Sequence, residues 1–250
     1  MVQKKEYKKL IWTSENVKKF WDYEAQHKEN YFTFQVGENV IDFLHKYFIN
    51  AKSALDYGSG PGFLIPYILK KGLNTSALEF SDISRDEVSR KFKNEPNFVG
   101  AVSQEEIRKN GLKYDLIIVV EVIEHLSDKY LDDVFNDMKE FLSDDGVAIF
   151  TTPNNEDLSK SMIYCPSCDH EFHRWQHERS WSKNSLTKYV EQKGLKLVDI
   201  FTTNFSQPAM KNTNLTFKRR IKNFLINSNI LKKDEEIIYP HLVCVVKKVK

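Results

Sequence analysis

Between residues 51 and 152, short apolar runs alternate with amphipathic stretches, and this alternation restricts the fold more than any other feature of the chain. Consecutive strand–helix units of a parallel sheet read in this way. "KSALDYGSG" predicts a strand from about Ser53 to Asp56, and "GFLIPYILKKG" a helix closed by Gly72. "TSALEFS" is a second strand, followed by a helix over "SRDEVSRKFKN" with Ser84 as N-cap and acids in its first turn. "NFVGAV" is a third strand. The unbroken run Leu116 to Val120 suits a central strand covered on both faces. Leu131, Val134, Phe135, Met138, Phe141 and Leu142 form a helical stripe, and "GVAIFTTPN" returns as a fifth strand. A helix over "SKNSLTKYVEQKG", capped by Ser182 or Asn184, and the strands "LKLVDIFTT" and "HLVCVVKKV" bring the count to seven. Right-handed crossovers then give a doubly wound α/β fold with a Rossmann-like sheet. Its ligand crevice lies beyond the carboxyl ends of the strands, where strand order reverses.

The 250 residues, 41% of them hydrophobic, suffice for one large domain with additions. Residues 1–50 read as an N-terminal helical cap or lid and 51–250 as the main domain. A Cys/His-rich insertion spans 156–182 and a basic one 207–238. A net charge of +2 gives no reason from composition to expect nucleic acid or membrane as partner. The charged, aromatic N-terminus contains no signal-like or membrane-spanning apolar run, so a cytoplasmic protein is expected.

"LDYGSGPG" ends the first strand and opens a helix. Gly58, Gly60 and Gly62 let the backbone turn tightly against a ligand, and Asp56 is placed to reach an amine or hydroxyl. Glu79, at the tip of the second strand, can accept both hydroxyls of a ribose. With "YDLIIVVEVIEHL" and "FLSDDGVAIFTTPN" following in order, the chain resembles the class I S-adenosylmethionine-dependent methyltransferases over about residues 50–155. The resemblance implies a mostly parallel seven-stranded sheet with one antiparallel strand. It also implies cofactor contacts from Asp56, Gly58, Gly60, Gly62, Glu79 and Glu121. Many members carry an acid after the third strand for the adenine amino group; here Val102, Ser103 and Gln104 stand there, so adenine is left to apolar packing, a backbone amide or Ser103.

Methyl transfer from a sulfonium is one in-line displacement, and a hydroxyl acceptor must also lose its proton. Glu121, Glu124 and His125 of "EVIEHL" lie just past the fourth strand, as base or as ligands of a divalent cation such as Mg²⁺. This string resembles that of the ubiquinone-pathway O-methyltransferases and of the small-RNA 2′-O-methyltransferases, in which such residues help bind a divalent cation. It is also widespread among methyltransferases that use no metal, where His125 would serve as a cap or general base.

"CPSCDHEFHRWQH" spaces two thiols and two imidazoles as Cys-x2-Cys-x4-His-x3-His. Cys165, Cys168, His173 and His177 therefore suit tetrahedral zinc, with His170 as a competitor. A second reading sends His173 or His177 into the active site. In a third, Phe172, Trp175 and Trp181 pack with Arg174 and Arg179. Cys244, in an apolar strand, reads as a buried core residue.

Phe20, Trp21, Tyr23, Tyr31, Phe32 and Phe34 precede the first strand and fold over the cofactor or cover the sheet edge. Lys218, Arg219, Arg220 and Lys222 lie on a basic amphipathic helix in the second insertion. The expectation is a methyltransferase acting on a hydroxyl of a sugar or other small polar metabolite. The rivals are a metal-dependent RNA 3′-terminal 2′-O-methyltransferase and a methyltransferase-like binding module without activity.

Overall fold

A computed structural model describes residues 7–206 and 239–249; the basic helix expected around residues 217–225 lies outside them. In chain order the elements are β1 (Lys8–Lys9), α1 (Ser14–Glu24), α2 (Phe32–Leu44), β2 (Ser53–Tyr57), α3 (Ile65–Leu69), β3 (Asn74–Leu78), α4 (Asp82–Phe92), β4 (Phe98–Val102) and α5 (Gln104–Asn110). They continue with β5 (Tyr114–Val120), α6 (Asp128–Phe141), β6 (Leu142–Pro153), β7 (Met162–Cys165), β8 (His170–His173), α7 (Lys183–Gln192), β9 (Leu195–Thr203) and β10 (His241–Lys248).

Seven strands form the main sheet in the order β4-β3-β2-β5-β6-β10-β9, and β10 alone runs antiparallel to its neighbours. The chain builds outward from β2 through β3 to β4, then crosses back to β5 on the other side. Order therefore reverses between β2 and β5, and a crevice opens beyond their carboxyl ends.

β5 shows why the run Leu116 to Val120 is apolar at every position. Ile117 and Val119 face α6 and α7, in one core with Phe135, Met138 and Phe150. Leu116, Ile118 and Val120 face α2 and α3, in a second core with Val40, Ile41, Leu64 and Ile68. Each such side chain contributes about 1.5–3 kcal/mol by leaving water. The stripe on α6 is buried throughout, and Phe135 stacks on Phe150 with centroids 4.8 Å apart.

Local punctuation differs in places. Ser81, not Ser84, caps α4, its Oγ accepting the Ser84 N–H at 3.4 Å. Ser182 caps α7 through a reciprocal box with Ser185. Leu142 opens β6 rather than closing α6, because it pairs with Tyr114 across the sheet. A second, three-stranded sheet has the order β1-β8-β7: the N-terminal strand lies parallel to one arm of the Cys/His hairpin. That pairing joins residues about 160 positions apart, and local periodicity gives no sign of it. Among the described residues no helix is long and apolar enough to cross a membrane.

Candidate active site

Asp56 and Tyr57 end β2, and the chain then turns through Gly58 (φ 76°), Gly60 (φ 50°) and Gly62 (φ 74°), a region that side chains rarely enter. A Cβ on Gly58 would come within 2.9 Å of Val122, so the loop lies hard against the segment after β5. Gly62 has another role: its missing Cβ makes room for Phe92 (2.8 Å) and Ile65 (2.9 Å), which binds the loop to its helices and leaves Gly62 off the cavity wall. Glu79 braces the loop across β2 and β3. Its Oε2 accepts the Gly60 N–H at 2.9 Å, and its Oε1 accepts those of Phe80 (2.8 Å) and Ser81 (3.3 Å). Asp56 is buried, and its Oδ2 has no hydrogen-bond partner. Burial, then the Glu79 charge, raises its carboxyl to about 7.

Ser103 caps α5, with both its N–H and its hydroxyl on Glu106, and it does not line the cavity. Phe80 and Ile83 do line it, with 50% and 61% of their surface exposed.

Past β5, Glu121 sits at φ 52°, a strained conformation for a residue with a side chain. It is held there by its backbone N–H on Thr151 O (3.0 Å) and by the Thr151 hydroxyl on its own Oε1 (2.8 Å). His241 of β10, which nothing in the sequence singled out, brings Nδ1 to 3.6 Å from that Oε1. Glu124 is 1% exposed; Thr152 donates to Oε2 at 2.9 Å, and Oε1 makes no hydrogen bond but lies 3.8 Å from His125 Nε2. Burial, then Glu121, raises its carboxyl well above the usual range. The His125 imidazole is pushed down to about 3, mainly by burial, and stays neutral at physiological pH.

The Cys/His segment divides. Cys165 and Cys168 occupy the tip of the β7–β8 hairpin, where the Asp169 N–H closes the turn on Cys165 O at 3.0 Å. Backbone N–H groups of Cys168 and Ser167 lower the Cys165 thiol. Neither cysteine belongs to any group of three or more close metal-ligating side chains among the described residues. The pair thus lacks two ligands of a closed tetrahedral zinc site. His173 and His177 meet Glu156 instead, and His177 also meets Glu124 and His125, each trio with its donor atoms within 4.8 Å of one another. His177 lines the cavity; His173 stands behind it. The aromatic residues of the segment part company: Phe172 packs on Trp12, Arg174 lies over Trp175, and Trp181 packs on Tyr189.

The N-terminal helices close the other wall. Trp21 donates from Nε1 to Gln176 Oε1 at 3.1 Å and meets His125 edge-on at 4.9 Å. Trp21, Tyr31 and Phe32 line the cavity, while Tyr23 and Phe34 are exposed. The space enclosed is about 960 Å³, at the large end for a small-molecule site. Glu24, Glu121, Glu124 and Glu178 also line it, as does Lys18, which pairs with Asp22 at 2.5 Å.

Comparison with known proteins agrees with this architecture. The family model described as "Methyltransferase domain" matches residues 26–200. No curated protein sequence matches the chain. Among solved structures, the Burkholderia thailandensis 1,6-didemethyltoxoflavin-N1-methyltransferase, with bound 1,6-didemethyltoxoflavin and S-adenosylhomocysteine, is similar with a TM-score of 0.64. It is 13% identical, over 96% of this chain and 92% of that one. An S-adenosylmethionine-dependent methyltransferase from Clostridium acetobutylicum has a TM-score of 0.59 at 16% identity, over 95% and 100% of the two chains. The methyltransferase domain of bacterial CtHen1 has a TM-score of 0.56 at 19% identity, over 86% and 98%.

Proposed function

The chain belongs to the methyltransferase domain family, and from that premise we propose that it moves the methyl group of S-adenosylmethionine to a hydroxyl of a sugar or other small polar acceptor. One observation carries the reading: at the β2–β5 reversal, the glycine loop, Glu79 and the buried, unpartnered Asp56 Oδ2 converge on one cavity. When bound, the cofactor supplies an electrophilic methyl on a sulfonium. The residues present fit it. Asp56 and the unpartnered Ser59 hydroxyl accept an amine, and Gly58 and Gly60 admit a ligand against bare backbone. Phe80 and Ile83 offer apolar faces for adenine in place of the missing acid. Glu79 would hold the ribose. A carboxylate has about four lone-pair directions, and three serve backbone N–H groups here, so clasping both hydroxyls requires at least one of those bonds to open.

The acceptor side excludes water with Trp21, Tyr31 and Trp175, under α1 and α2 as a cap. A second reading, metal-dependent 2′-O transfer at an RNA 3′ end, is favoured by Glu124, His125 and His177, whose donor atoms could hold a divalent cation. Bound there, the cation would lower the pKa of the acceptor hydroxyl. Two imidazoles and a carboxylate suit a transition ion better than Mg²⁺.

The test is transfer of labelled methyl to hydroxylated sugars and phenols, and to a short RNA duplex, with and without a chelator. The proposal expects label on a small acceptor, indifferent to chelation. Label on RNA alone, abolished by the chelator, would establish the second reading in its place.

A further inference from the structure

His177 stands at a junction that the cavity alone does not explain. Its ring lines the cavity, while its Nδ1 lies 2.5 Å from Glu156 Oε2, which is outside the lining. An ionised carboxylate only accepts, so Nδ1 carries the hydrogen, and a neutral ring then has its bare lone pair on Nε2. The backbone of His177 is held from behind. His173 Nδ1 accepts the backbone N–H of Trp175 (3.3 Å) and of His177 (3.1 Å), which leaves the hydrogen of that neutral ring on Nε2. This nitrogen is buried and makes no hydrogen bond, although Glu156 Oε1 lies 3.4 Å away. The two rings stack at 4.5 Å and 20°, an arrangement set by the left-handed turn at Gln176 (φ 60°). Gln176 is pinned in turn, its amide donating to His125 O at 2.8 Å and accepting from Trp21.

Of the two rings, only His177 is hydrogen-bonded to Glu156, through Nδ1–H; His173 Nε2 comes within 3.4 Å of Oε1 without bonding it. The same count argues against a cation on Glu156, His173 and His177, close as they are: a ring accepting two N–H groups at Nδ1 keeps no lone pair on Nε2 for a metal. His125 lacks such support, since its Nδ1 has no hydrogen-bond partner.

We propose that His177 Nε2 takes the proton of the acceptor, and that Glu156 and His173 are positioning residues, Glu156 holding His177 in the Nδ1–H tautomer and His173 holding its backbone N–H. The inference rests on the methyl-transfer reading above. In the step, an acceptor oxygen lone pair forms the bond to the methyl carbon as the carbon–sulfur bond breaks, and sulfur keeps that electron pair as a neutral thioether. The O–H electron pair stays on oxygen while the proton passes to His177 Nε2 and from there to water.

The test is long-range ¹H–¹⁵N correlation NMR on the full chain with ¹⁵N-labelled histidine, His177 being assigned by its loss in H177Q. The expected result is an Nδ1–H tautomer in the wild type, lost in E156A and retained in E156D, with S-adenosylhomocysteine affinity in E156A within about twofold of wild type as the check on folding. An Nε2–H tautomer in the wild type, or a tautomer indifferent to E156A, would overturn the positioning chain. Broadening of His177 signals by substoichiometric Mn²⁺ would mean that the lone pair serves a cation, and would overturn the proton-acceptor role. On the acceptor labelled in the transfer assay, H177Q should lose on the order of 10²–10⁴ in kcat with little change in KM; retained kcat would also overturn that role. If the wild type binds no S-adenosylhomocysteine yet shows the Nδ1–H tautomer, the methyl-transfer reading fails and the tautomer assignment stands.

Discussion

The tips of β2 and β5 and the β7–β8 hairpin both concentrate reactive side chains, but by different means. At the strand tips, position follows from burial. Leu55 and Tyr57 belong to one core and Ala54 to the other, and the strand they bury ends at Tyr57, which sets Asp56 and Gly58 at its tip. At the hairpin, position follows from a few polar and aromatic contacts with remote residues: β1 on β8, Trp12 on Phe172, Trp21 on Gln176 and Glu156 on His177. Burial repeats with the period of an element and is written locally. A contact between residues 20–160 positions apart leaves no local mark.

The largest expected effect sets these regions against each other. Phe135→Ala, in the stacked core of α6 and β6, should cost about 3–5 kcal/mol in urea unfolding. Phe172→Ala, partly buried on the hairpin, should cost about 1 kcal/mol or less. Equal losses would mean that the hairpin is as integral to stability as the main sheet. Next, Glu79→Ala should weaken S-adenosylhomocysteine binding by about 2–4 kcal/mol, since it removes charge-assisted bonds both to the ligand and to the Gly60 loop. Unchanged affinity in a calorimetric titration would remove Glu79 from the site.

A smaller effect comes from Asp56. Its folded carboxyl is raised to about 7, so the native state keeps a proton that the unfolded chain has lost, and stability should fall as pH rises from about 4 to 7. A bound amine favours the carboxylate, so affinity should rise over the range that ends near pH 7, by at most about tenfold per unit, and level off above it. Affinity flat from pH 5.5 to 8 would contradict the contact. The smallest effect is expected from Cys165→Ser with Cys168→Ser: melting temperature and cofactor affinity unchanged, and no zinc by elemental analysis of the wild type. One zinc per chain, lost in the double variant, would restore a metal role to the hairpin.

Seven strands in a doubly wound sheet were legible because each main-sheet run declares its faces, and Leu116 to Val120 declares both. Asp56, Glu79, Glu121, Glu124 and His125 were legible as a set because each stands at the end of such a run or in the turn that follows it. Ser103 was not, because whether a hydroxyl turns to a ligand or caps a helix depends on Glu106 three residues on, a capping signal present in "SQEE". Gly62 shares the look of a ligand-contacting glycine and turned out to pack on Phe92, a partner thirty positions away. The spacing of His173 and His177 in "HRWQH" was visible, but its meaning depends on Glu156, which no motif marks. His241 reached Glu121 only through the antiparallel pairing of β10 with β6.

The most direct measurement is calorimetric titration of the chain with S-adenosylhomocysteine. The cavity at the β2–β5 reversal predicts saturable binding at one site per chain, weakened by Glu79→Ala and by Asp56→Leu. No binding by the folded wild-type chain would contradict the assignment of that cavity to the methyl donor.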